Sequence, residues 1–196
     1  MRRKIDLFIL LIVVFLGAFA ANNAVSLGDW WHAKKYTPPT EIVELSENAG
    51  MNDAGKNLFY RFEPQLRDEQ ELAGLCDVKK LGCIEGRFIY LLKPKTKAEH
   101  QRTVVTAAHE MLHAAYSRLS NDDKRALESL LEGELAKGTN SGIVQKLKVY
   151  PKNEYYNEAH SFIGSETAYL SPALELHYSK YFFERNKSTK AHTDSL

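Results

Sequence analysis

Two histidines four residues apart, with a glutamate directly after the first, stand at His109-Glu110-Met111-Leu112-His113. On a helix, positions i and i+4 lie on one face, so both imidazoles can reach the same point. Glu110 is turned about 100° from His109, which sets its carboxylate beside whatever the imidazoles hold rather than on it. Imidazole is a common zinc ligand, and a carboxylate next to such a site can take a proton from the water that attacks a carbonyl. A catalytic zinc site wants a third protein ligand, with water in the fourth place. Downstream the candidates are Glu158, in Asn157-Glu158-Ala159-His160-Ser161, then Glu166, in Gly164-Ser165-Glu166, and His160 itself. His160 is turned about 200° from Glu158, so these two do not easily share one ion. The other histidines, His32, His100, His177 and His192, read as ordinary core or surface residues.

This set resembles the zincin metallopeptidases, and among them the gluzincins, whose third ligand is a Glu on a later helix, often preceded by Asn. The resemblance implies one Zn2+ per chain held by His109, His113 and Glu158, Glu110 as general base, and a peptide or protein substrate. Glu166 stays open as the alternative third ligand or as a residue orienting the ligands. Some gluzincins place an oxyanion-binding Tyr shortly before the Glu ligand, which points here to Tyr155, three residues before Glu158 on the same helix face, or to Tyr150. The strand around Ile89 would be the edge strand that aligns an extended substrate by backbone pairing. Two positions depart from related patterns. Phe162 stands where many gluzincins carry an acid that orients the first His. Tyr116 and Leu119 replace the Gly and last His of the longer metzincin pattern. Zinc hydrolysis also serves amidases of cell-wall peptides, and a binding module can keep the fold without the activity, so both stand as alternatives.

The elements that must position these residues follow from periodicity. Val104, Val105, Ala108, Leu112, Ala115 and Leu119 form a helical stripe over residues 99–119, which carries the His pair. Ser120 caps a second helix reaching residue 138, a short one covers 143–149, another 153–164, and Ser171-Pro172 opens a last helix to about residue 186. Before the motif, residues 87–93 form the clearest strand, and Leu58-Phe59-Tyr60-Arg61-Phe62 also reads as a strand from its aromatics. Thr40 caps a short helix over 41–48, and Asp68 one ending near Leu75. The expected class is α+β: a mostly helical zincin-like domain with a small sheet before the motif helix.

The N-terminus reads as an address. Arg2-Arg3-Lys4 precedes an apolar run over residues 7–21, whose ~22 Å as a helix falls short of a ~30 Å hydrocarbon core. Residues 1–24 are therefore a signal peptide cleaved near Ala20 or a signal-anchor segment, and either puts the remainder outside the cytoplasm. Residues 25–39 read as a tether, 40–186 as the working domain and 187–196 as a loose polar tail. Cys76 and Cys83, the only two cysteines, suit a disulfide in that compartment and lack metal-site spacing. The net charge is +1, with 26 Lys+Arg against 25 Asp+Glu; without residues 1–20 the counts are 23 and 24. No basic surplus speaks for nucleic acid as a partner, a membrane enters only through the N-terminal segment, and nothing fixes an oligomeric state.

Overall fold

The computed structural model describes residues 13, 24–77 and 80–195. The leader expected over residues 1–24 lies, but for Val13 and Ala24, outside the described residues. No helix among the described residues is long and apolar enough to cross a membrane.

The helix α5, Lys97–Ser117, is the axis of the fold. It begins in a capping box: Thr96 Oγ1 accepts from the Glu99 amide, and a Glu99 carboxylate oxygen accepts from the Thr96 amide. Val104, Ala107, Ala108, Met111, Leu112, Ala114 and Ala115 are all buried, so the helix is covered on most sides. Helix α8, Lys152–Glu166, makes the largest packing against it, with Ala159 and Ile163 at zero exposure. Gly164 lets the two helices and Tyr178 close up. A Cβ there would stand 2.5 Å from both Leu112 Cδ1 and Tyr178 Cε1, which are themselves fully buried. Gly164→Ala is therefore expected to cost about 1–3 kcal/mol in denaturant unfolding, as overpacked cores do.

A three-stranded sheet lies on another side of α5. Strands β1 (Gln65–Arg67), β2 (Gly82–Glu85) and β3 (Phe88–Leu92) run in the order β1-β3-β2, with β1 parallel and β2 antiparallel to β3. The strand around Ile89 is thus central, not the edge expected from sequence. The edge nearest α5 is β2, where Gly82 permits close approach: a Cβ there would lie 2.7 Å from Thr106 Cγ2. Cys83 of β2 is bonded to Cys76, at the end of helix α4 (Glu69–Leu75).

Three local expectations are corrected. Leu58-Phe59-Tyr60-Arg61 belongs to helix α3, Asp53–Arg61, not to a strand. Asn52 Oδ1 caps it by accepting from the Gly55 amide at 3.0 Å, and Gly55, Leu58 and Phe59 form its buried stripe. The expected tether contains helix α1, Ala24–Ala33, packed on α3; Asp29 is buried between Arg61 and Arg118. The expected loose tail is helix α10, Asn186–Asp194, which packs on α5 and α8 with Ser188, Thr189 and Ala191 buried. Ser188 tolerates burial because its hydroxyl donates to the Ser165 carbonyl at 3.0 Å. Helices α2 (Thr40–Asn48), α6 (Asn121–Leu135), α7 (Ser141–Leu147) and α9 (Pro172–Tyr178) complete the fold, α9 stopping short of residue 186.

Candidate metal centre

The site lies where α5 and α8 face one another across a cavity of about 720 Å³. His109 and His113, one turn apart on α5, bring their Nε2 atoms to 3.0 Å. From α8, the Glu158 carboxylate sets Oε2 3.4 Å from His109 Nε2 and Oε1 3.6 Å from His113 Nε2. Glu158 Oε2 is buried with no hydrogen-bond partner, an unusual state for an acceptor in a finished structure.

The proton on His113 is fixed by its surroundings. Nδ1 lies 3.0 Å from Asn157 Oδ1 and 3.1 Å from Ser161 Oγ. An amide oxygen only accepts, so the proton sits on Nδ1 and Nε2 keeps its lone pair toward the cavity. Asn157 and Ser161, at i and i+4 on α8, are thus positioning residues for His113. Sequence reading missed that role, although the spacing of the two polar side chains on one face was a usable signal. His109 is held otherwise: the Phe162 ring packs against it at 4.6 Å, and Lys146 lies 5.0 Å above Phe162. Phe162 thus meets His109 by ring packing, where the resemblance would have placed an acid.

Burial sets the charges. It pushes the His109 imidazole down to about 4, and the His113 imidazole to about 4 with His109 adding to the effect, so both are neutral at pH 7. Glu110 is buried, with a carboxylate oxygen within 4.8 Å of the His ligand atoms. Desolvation, and then the Glu158 charge, push its carboxyl up to about 8. Burial likewise raises Glu158.

The other expected residues separate. Glu166 borders the cavity but is occupied, taking Lys146 Nζ at 2.7 and 2.9 Å, with His192 Nε2 3.7 Å away. Tyr150 lines the cavity, and burial followed by the nearby Glu158 charge pushes its phenol up to about 12. Tyr155 does not line it. Its ring meets Tyr156 at 5.3 Å and packs on the core, because three residues on a helix still leave about 60° between side chains. His160 also faces away. It is fully buried, with Nε2 3.0 Å from His177 Nε2 and its ring stacked on Tyr178.

Burial lowers His177 to about 4 and takes His160 well below its ordinary value of 6.5. The unfolded chain binds both protons near pH 6.5, while in the fold His177 resists to about 4 and His160 is likewise held neutral well below its ordinary value. Their contribution to stability is full above the unfolded value and lost as pH falls toward 4. Denaturation midpoints should drop over that range, and His177→Gln should flatten the slope.

On this chain's own residues, two imidazoles and a carboxylate converge, a second carboxyl with a raised pKa stands beside them, and a phenol and the edge strand β2 border the same space. No protein-family model, curated protein or solved structure matches the chain.

Proposed function

We propose that this chain is a zinc-dependent metallopeptidase on a zincin-like domain, acting outside the cytoplasm on peptide or protein substrates. The observation that carries the reading is the spacing of the donors. Bonds of ~2.0–2.1 Å at the tetrahedral angle separate ligand atoms by ~3.3–3.4 Å. The two Nε2 atoms stand 3.0 Å apart, and the Glu158 carboxylate turns one oxygen toward each, Oε2 at 3.4 Å from His109 and Oε1 at 3.6 Å from His113, so either oxygen needs only a small shift to complete such a set. Two neutral imidazoles and a carboxylate are a zinc donor set, and a bound cation would satisfy the orphaned Glu158 Oε2. His109, His113 and Glu158 would hold the ion.

Zinc at such a site supplies Lewis acidity, polarising a carbonyl and acidifying water. Glu110 takes the proton of the water as its oxygen adds to the scissile carbonyl carbon, then gives it to the leaving amine as the C–N bond breaks. Tyr150 donates its hydroxyl proton toward the oxyanion that develops on the carbonyl. The free edge of β2, bordering the cavity through Gly82, Cys83 and Ile84, offers backbone groups to an extended peptide. The basic start with its apolar run and the Cys76–Cys83 bond support the extracytoplasmic placement.

Metal analysis of the purified full chain is expected to find about one zinc per chain, and none in the His109→Ala/His113→Ala double variant with unchanged circular dichroism. A folded double variant that keeps its zinc would overturn the reading.

A further inference from the structure

Helix α1 has two unlike faces. On the inner one, Asp29 accepts from Arg61 Nε at 2.8 Å and from Arg118 at 2.8 and 3.0 Å, and Ala33 is buried one turn on. On the outer one, Trp30 is 45% and Trp31 58% exposed. Lys34 Nζ lies 5.7 Å over the Trp30 ring and Lys35 Nζ 5.5 Å over the Trp31 ring, each pair at i and i+4. Asp29 is the helix's only acid and it is turned inward; neither lysine meets an acid among the described residues. Among the described residues, these two exposed indoles, each overlaid by an ammonium, have no acidic partner and no aromatic partner but each other.

The sequence just before α1 says what covers them. The apolar run over residues 7–21 ends three residues before Ala24. A chain that enters a bilayer there leaves α1 at the headgroup level, where Trp is enriched and Lys stems lie along apolar surface while their ammonium groups reach phosphates. We propose that the outer face of α1 rests on a phospholipid bilayer, with Trp30 and Trp31 in its interface and Lys34 and Lys35 on its anionic headgroups. The double arginine grip on Asp29 then fixes the whole domain relative to the lipid. Arg118 also lies 5.3 Å over Phe62, and Phe62 and Ser117 line the cavity, so the same arginine ties the lipid-facing helix to a wall of the cleft, whatever chemistry the cleft performs.

The chain has 2 Trp, both in α1, so its intrinsic fluorescence reports this face alone. The test is the full chain reconstituted into phosphatidylcholine vesicles with and without phosphatidylglycerol. The expected emission lies at shorter wavelength than that of a water-exposed indole. Lipids brominated near the headgroup end should quench it more than those brominated near the chain terminus, and iodide should quench it weakly. Lys34→Glu/Lys35→Glu should reduce the wavelength shift on phosphatidylglycerol vesicles more than on phosphatidylcholine alone. Emission and iodide quenching like those of a free indole would overturn the proposal. So would strongest quenching at the chain terminus, which places the indoles in the hydrocarbon. A shift that grows with the protein-to-lipid ratio would make a second copy the occupant instead, and an unchanged shift in the lysine variant would overturn the headgroup contact.

Discussion

Glu110→Gln is expected to retain one zinc per chain while peptide hydrolysis falls by ~10²–10⁴-fold, the usual yield of a positioned acid–base group. The amide matches the carboxyl in volume, so the buried space between α5 and α8 stays filled and the three ligands keep their places. It cannot accept a proton, so the water is not activated and the leaving amine is not protonated. Zinc content measured beside turnover of a peptide library separates this from a structural defect: a collapsed site would lose both. Equal activity in the variant would remove Glu110 from the chemistry. A zinc-bearing wild type that cleaves nothing would place the chain among binding modules.

The second large effect distinguishes two glutamates on one helix. Glu158→Gln is expected to weaken zinc binding by more than ~100-fold, beyond what loss of a group behind the ligands costs, and Glu166→Gln by less than ~10-fold. The difference follows from what each carboxylate already holds. Glu158 faces both Nε2 atoms and has an oxygen with no hydrogen-bond partner, whereas Glu166 is taken by Lys146 and neighbours His192. Competition of each variant with a zinc chelator of known affinity reads the two values. The reverse order would make Glu166 the ligand.

The motif helix was legible because its stripe and its histidine spacing agree on one conformation, although the Thr96 capping box starts it two residues before the expected 99. The proposed α8 ligand, Glu158, could be picked out as a carboxylate on a later helical segment, and the structure places it facing both histidines. Other parts were opaque for physical causes. The aromatic run at Leu58-Phe59-Tyr60 favours strands by local preference, but the Asn52 cap and a buried i, i+3, i+4 face decide for a helix. β3 was expected at an edge from the resemblance alone, and strands β1 and β2, of three and four residues, are too short for alternation to have shown its neighbours. The C-terminal segment looked loose because it is polar; Ser188 is buried only because a distant carbonyl on α8 accepts its proton. Tyr155 was placed by helix spacing alone, and a rotation of about 60° was enough to send it into the core.

The grip of Arg61 and Arg118 on Asp29 bears on where the chain can be shortened. Arg118 follows His113 by five residues, ~7.5 Å along the same helix axis. Trimming at Thr40, where the sequence suggests the working domain begins, would strand two guanidinium groups at the foot of the helix that carries both histidines. A shortened protein meant to keep the site intact has to begin at or before Ala24.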